Sequence, residues 1–244
     1  AGTIINLPKL KTHGMMILSM GVKNMFGCVS KTGRVQWHLK AGVDYASFGR
    51  MLMQVYEVTR PVLTIVDGVV GMEGEGPASG DPVKLGFLSA GEDAVAVDSV
   101  LCSALGIPPM KLFTTRAAVE YGIGETELSR IDLCGAKISN FRVKSFKFPM
   151  PVTPGEEWGL YFPPSLKRSL KSLLTPRPVP VGGKCKLCGD CIRICPAKVI
   201  TKGKKKVEMD YDRCIRCFCC QEVCPHNAIK TKRSVLAGII ERFV

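Results

Sequence analysis

The chain reads as an α/β protein, a mostly parallel sheet covered by helices, followed by a small α+β domain near its C-terminal end. Two observations carry this reading. Apolar strand-like runs alternate with helical spacing over the first 148 residues. Nine of the twelve cysteines then fall between Cys185 and Cys224, eight of them in a regular spacing. Charge divides along the same line: residues 1–160 carry a net charge of +1 and residues 161–244 carry +12. Such asymmetry marks a separate module with its own partner. A hydrophobic content of 46% with 23% charged residues excludes a disordered chain.

The elements follow in order. Gly2–Leu7 is rich in β-formers and ends at Pro8. Met16–Phe26 is an apolar run up to Gly27 and predicts a helix. Ser47–Thr59 has Phe48, Met51, Leu52, Val55 and Tyr56 at helical spacing, and Pro61 stops it. Val62–Val66 is a continuous apolar strand, and Leu85–Ser89 a second one. Asp93–Leu105 predicts a helix with Gly106 and Pro108 beyond its end, Phe113–Tyr121 a shorter helix, and Ile131–Cys134 a last strand. Open sheets of this kind bind ligands at the carboxyl ends of their strands. The segments after Leu7, Val66 and Ser89 are therefore the places to look.

Those segments are polar. The first holds Lys9, Lys11 and His13, and a later one Lys23 and Asn24; Lys9, Lys11, Lys23 and Asn24 are candidates for holding a small anionic ligand. After Val66 come Asp67, Glu73 and the glycines at 68, 71, 74, 76 and 80, where Gly74 and Gly76 let a backbone approach a ligand closely. His13, Lys11, Glu73 and Asp67 are the acid–base candidates. His13, His38 and one of those carboxylates would suffice for an open two-histidine, one-carboxylate metal site. Asp93 reads as a helix cap and Asp98 stands one turn on. A Rossmann fingerprint, a P-loop, a Gly-x-Ser-x-Gly elbow and a His-Glu-x-x-His motif are all missing, so hydrolase and kinase chemistry have no support.

The cysteines read Cys185-x2-Cys188-x2-Cys191-x3-Cys195-Pro and Cys214-x2-Cys217-x2-Cys220-x3-Cys224-Pro, each member of the second set 29 residues after its counterpart. Ile200 and Ile229 keep the same offset, so this is an internal repeat. A zinc ribbon needs one set of four, and a disulfide framework does not produce this spacing. It is the bacterial iron–sulfur pattern, in which the fourth cysteine of each run serves the other cluster. Two 4Fe-4S clusters are expected: one on Cys185, Cys188, Cys191 and Cys224, the other on Cys214, Cys217, Cys220 and Cys195. Residues 181–232 thus resemble a two-cluster bacterial ferredoxin. Cys219 lies off the register and reads as a buried thiol beside a cluster; Cys28, Cys102 and Cys134 read as core thiols.

Leu7-Pro-Lys-x-Lys-Thr-His13, Lys23-Asn-x-x-Gly27, Val66-Asp-Gly-x-x-x-Met-Glu-Gly-x-Gly-Pro77 and Ala90-Gly-x-Asp-x-x-Ala-x-Asp98 together resemble the DUF362 family over about residues 3–145. Members often carry a ferredoxin segment, so the resemblance implies an iron–sulfur protein but no reaction. Four segments are expected: residues 1–148 as this α/β domain, with an N-terminal part missing; 149–180 as a proline-rich, basic linker carrying a short helix; 181–232 as the two-cluster domain; and 233–244 as a C-terminal helix.

Thiols and clusters point to a reducing, anaerobic cytoplasm. No signal peptide and no transmembrane run is present in the sequence. The basic patch, with Lys202, Lys204, Lys205, Lys206, Lys230, Lys232 and Arg233, suits an acidic redox partner such as a flavodoxin-like protein or an oxidoreductase. Nucleic acid is not the expected partner, because few aromatics interleave with the cations. The expected function is electron transfer through the two clusters to or from a ligand in the α/β domain. The alternatives are a plain carrier whose α/β domain only docks a partner, and a regulatory or nucleic-acid-binding protein with structural clusters.

Overall fold

A computed structural model describes residues 2–42, 44–143, 145–149 and 176–232. The expected linker helix and C-terminal helix lie outside the described residues. The first domain runs β1 (Ile5–Asn6), β2 (Lys9–His13), β3 (Ile17–Ser19), α1 (Gly21–Asn24), α2 (Lys31–Ala41), α3 (Tyr45–Thr59), β4 (Leu63–Glu73), β5 (Asp81–Gly91), α4 (Ala94–Ala104) and α5 (Phe113–Tyr121). β1 and β2 follow one another along one edge of β4, both parallel to it, and β5 lies along the other edge. β3 adds antiparallel to β2, and β5 antiparallel to β4. The result is a mixed sheet around a parallel centre.

One face of the sheet carries the core. Leu10, Leu18, Val66 and Phe87 pack with Val97, Leu101, Cys102 and Leu105 of α4 and the loop after it. A second cluster joins Met15, Met16 and Phe26 to Tyr45, Phe48, Met51 and Leu52 of α3 and to Phe113. On the other face, Ile5 pairs with Leu63 and Leu88 with Asp67. There Ile5 and Leu88 are exposed. Asp93 caps its helix as expected, accepting from the Val95 N–H; Asp44 accepts from that of Ser47, and Gly122 ends α5 in the left-handed region.

Four expectations are corrected. Met16–Phe26 is not one helix; Ile17–Ser19 is a strand paired with β2, followed by α1 and a 3₁₀ turn at Met25–Cys28. An apolar run buried on all sides gives no period by which to tell the two apart. The segment after Leu7 and most of Asp67–Pro77 are strand rather than loop, because β4 runs on to Glu73 and pairs with β5 over its whole length. Its glycines serve strand contact: a Cβ on Gly71 would sit 3.2 Å from the Leu10 carbonyl oxygen. Ile131–Cys134 is irregular, and Leu133 and Cys134 are exposed. α2 is polar and shows no apolar stripe, so its sequence gave no signal beyond the Ser30 cap.

The second domain contains β6 (Arg177–Pro180), α6 (Asp190–Ile194), β7 (Ile200–Lys202), β8 (Val207–Met209), α7 (Cys219–Glu222) and β9 (Ile229–Lys232). The 29-residue repeat extends to the backbone. β6 recurs as β8, α6 as α7 and β7 as β9. The first strand of each half pairs with the last strand of the other, β6 with β9 and β8 with β7. Even the left-handed residues recur: Leu187 and Arg216, Gly189 and Phe218, Lys198 and Asn227.

Candidate functional site

Two cavities in the second domain are lined by cysteines. One takes Cys185, Cys188, Cys191 and Cys224, together with Val207, Ala228 and Ile229. The other takes Cys214, Cys217, Cys220 and Cys195, together with Pro178, Val199 and Ile200. Each of these residues has its counterpart 29 positions away in the other cavity. The fourth cysteine of each run crosses over because the residues after it, Pro196–Ala197 and Pro225–His226, lead into the strand beneath the opposite cavity. Four thiols around an apolar pocket suit a 4Fe-4S cluster, which needs thiolate ligands and a dry surround. The Ala228 N–H points at the Cys224 sulfur at 3.3 Å, the kind of bond that stabilises a ligating thiolate.

The α/β domain meets this module at the second cysteine run. The Nδ1 of His13, itself 2% exposed, accepts from the Met15 and Met16 N–H groups, each at 3.2 Å. Nε2 therefore carries the proton, and it lies 3.1 Å from Oε1 of Glu222 on α7. Burial, then the charge of Lys23, holds His13 below the usual histidine range. Burial also lowers Lys23, against the pull of Glu222 and Cys219. At Glu222 burial acts upward, but His13 and Lys23 outweigh it and bring the carboxyl down to about 2. Tyr45 on α3 donates to the Arg216 carbonyl at 3.4 Å. His38 completes the group, stacked on Phe48 at 4.6 Å, 7% exposed and depressed to about 4 by burial.

α1 is placed by polar residues of α4 and β1. Asp98 on α4, 3% exposed, accepts from the Gly21 and Val22 N–H groups at 2.7 and 3.1 Å. Asn6 donates to the Gly21 carbonyl, and Asn24 donates to Asn6. A Cβ on Gly21 would lie 3.0 Å from both Ala94 and Asp98, so no larger residue fits there without displacement. This scaffold fixes where Lys23 points.

The remaining candidates lie elsewhere. Lys9 and Asp67 pair with each other at 2.5 Å on the exposed side of the sheet. Glu73 accepts from the Lys147 N–H at 3.0 Å and faces its ammonium at 3.4 Å, while Gly74 donates to the Lys147 carbonyl. Gly76 donates to the Thr12 hydroxyl and lies so close to β2 that a Cβ would fall 2.2 Å from the Thr12 carbonyl oxygen. Thus Lys9 and Asp67, Glu73 with Gly74, and His13 with Lys23 form three separate groups. Cys102 is a core thiol, whereas Cys28 and Cys134 are exposed, contrary to expectation.

Residues 1–103 match the domain of unknown function DUF362, and residues 184–228 match a 4Fe-4S dicluster domain. The chain joins a DUF362 domain to a 4Fe-4S dicluster domain. Over 126 residues it is 41% identical to the thylakoid-associated protein sll1697 of Synechocystis, covering 52% of this chain and 39% of that protein. Over 50 residues it is 46% identical to the pyruvate synthase subunit PorD of Methanothermobacter marburgensis, covering 20% and 58%. A ferredoxin of Methanothermococcus thermolithotrophicus is 40% identical over 52 residues, 20% of this chain and 87% of that protein. The chain spans between 39% and 58% of the length of the first three curated relatives it matches. The dicluster domain binds two 4Fe-4S clusters, and its role is iron–sulfur electron transfer. Among the described residues, no helix is long and apolar enough to cross a membrane.

Sequence reasoning missed Glu222, Tyr45 and Arg216. Glu222 sits between ligand-spaced cysteines and looked like filler. Its one signal was position: residue 193, its counterpart in the first run, is an arginine, so the repeat breaks in charge there.

Proposed function

We propose that the chain moves single electrons between a partner protein and the DUF362 domain. One cluster is held by Cys185, Cys188, Cys191 and Cys224, and the other by Cys214, Cys217, Cys220 and Cys195. The observation that carries this is the closure of the DUF362 motif residues His13 and Lys23 on the second cysteine run. Each cluster, when bound, supplies a one-electron acceptor and donor. The chain does the rest. Glu222 and His13 hold the two domains in register, Lys23 places a cation beside the second run, and the apolar residues of the two cavities cover the sulfurs in part, with Cys188 left exposed.

For the ligand site, His13, Lys11 and Lys23 form the most coherent set, since Lys11 and Glu222 both act electrostatically on Lys23. A small anion is the ligand class this charge favours. The basic C-terminal third favours an acidic redox partner. The alternative is a carrier whose DUF362 domain serves only to dock. It gains weight from Glu73, Asp67 and Asn24, all of which are engaged in contacts within the fold.

Lys11→Met in the anaerobically purified chain separates the two. Loss of ligand turnover or ligand mass in native mass spectrometry, with both cluster spectra intact, supports the ligand reading. Unchanged electron transfer and no ligand in either protein supports the carrier.

A further inference from the structure

The two halves of the dicluster domain are related by the 29-residue repeat, so differences between counterparts report what the DUF362 domain does to them. Cys188 is exposed, whereas Cys217 is buried. Gly189 and Asp190 are half-buried, but Phe218 and Cys219 are buried. Ile192 is half-buried and Gln221 is buried. These shifts share one sign and fall at residues 217–221, between Arg216 and Glu222, which Tyr45 and His13 touch; beyond them, at Val223, the sign reverses. Around the first run, Lys184, Lys186, Arg193 and Lys198 are exposed. Arg193 pairs with Asp190, and the Cys188 thiol reaches the same carboxylate.

We propose that the two cysteine runs have different neighbours: the first-run end, with Lys184, Lys186, Arg193 and Lys198, docks an acidic one-electron carrier, while the second-run end exchanges electrons with the DUF362 domain. This rests on the electron-transfer reading above. It adds a direction, with the carrier at one end and the DUF362 domain at the other. Each exchange moves one electron, makes or breaks no bond and moves no proton; reduced flavodoxin, going from hydroquinone to semiquinone, is a sufficient donor. Electron transfer falls steeply with distance, so an external carrier gains most at the run whose thiol reaches the surface. Charge complementarity points the same way, because the exposed cations at that end suit an acidic partner. Lys23 and Glu222 are then positioning residues that act on the second run's cluster from across the junction.

Two measurements on the full anaerobic protein test this. The first is an EPR-monitored redox titration of Lys23→Met, Glu222→Gln and Arg193→Met. Removing the Lys23 cation should lower the midpoint of one cluster, and removing the Glu222 anion should raise that same midpoint. Arg193→Met should lower the midpoint of the other cluster. A uniform shift of both clusters, or Lys23→Met and Arg193→Met moving the same one, overturns the assignment. The second is stopped-flow reduction by flavodoxin hydroquinone at low ionic strength. Lys186→Glu with Arg193→Glu should slow the bimolecular step at least tenfold, while Lys84→Glu on β5 leaves it unchanged. Equal rates for both variants overturn the docking end even if the titration succeeds. If wild-type protein accepts no electron from flavodoxin or dithionite, the electron-transfer reading itself fails, and that outcome is distinct from the others.

Discussion

Asp98→Ala removes the anchor of α1. The Asp98 carboxylate accepts two backbone N–H groups, from Gly21 at 2.7 Å and Val22 at 3.1 Å, and is 3% exposed. Above about pH 7, where Asp98 is ionised, a hydrogen bond to it contributes about 1.5–3 kcal/mol, and buried donors left unpaired add their desolvation cost. Two such bonds, discounted for relaxation of a four-residue helix and entry of water, give about 3–5 kcal/mol of local opening energy. At about 1.4 kcal/mol per decade, amide exchange over residues 20–26 should accelerate by about 100- to 4000-fold. The assay is hydrogen–deuterium exchange mass spectrometry on the holo-protein, with the peptide covering α3 as an internal control. Asp98→Asn keeps one acceptor oxygen and should fall between wild type and alanine. Exchange in α1 within about threefold of wild type, with α3 unchanged, would refute the claim that Asp98 holds this helix and thereby aims Lys23.

Other predictions follow from the same geometry. Burial raises Asp98 to about 7, the largest cause, against the two backbone N–H bonds that favour its charged form. The folded chain then keeps a proton that the unfolded chain releases near 3.8, so this stabilisation is complete below about pH 4 and lost as pH rises through about 7. Asp98→Asn should flatten that part of a stability–pH profile, and parallel profiles count against it. His38 has the opposite sign: depressed to about 4 from 6.5, it makes the fold less stable as pH falls from about 6.5 to about 4, and His38→Gln should remove that slope. Gly49 faces α5, where a Cβ would meet the Phe113 carbonyl oxygen at 2.7 Å; Gly49→Ala should cost about 1–3 kcal/mol in thermal unfolding, and a neutral result would show that α3 and α5 can separate freely. Phe48→Ala empties a site at 0% exposure against Phe26 and His38 and should cost about 3–5 kcal/mol.

The cysteine module was legible because its chemistry is local. Ligands two and three residues apart wrap a cluster from one segment, and the repeat makes the cross-over visible in one dimension. The helices α3 and α4 were legible for the same reason: the apolar spacing of Phe48, Met51, Leu52 and Val55, the Asp93 cap and the breakers Pro61 and Gly106 all act within a few residues of themselves. The candidate site in the α/β domain was not. Lys9, Asp67, Glu73 and His13 share motifs that look like one cluster, but which of them meet depends on strand register. The bulge between Lys9 and Lys11 on β2 places Lys9 against Asp67 and Lys11 against Met72. His13 then faces Glu222, more than 200 residues away in sequence. Such a contact leaves no periodic trace, and only the charge break in the repeat at residues 193 and 222 hints at it.

The central claim, that eight cysteines hold two clusters for single-electron transfer, is tested most directly by a coulometric reduction of the anaerobically purified full-length chain followed by EPR. The account predicts uptake of two electrons per chain and two interacting 4Fe-4S signals, one of which is lost or altered in Cys217→Ser and the other in Cys188→Ser. Uptake of one electron or none, or both signals disappearing together in each variant while the protein stays folded, would contradict it.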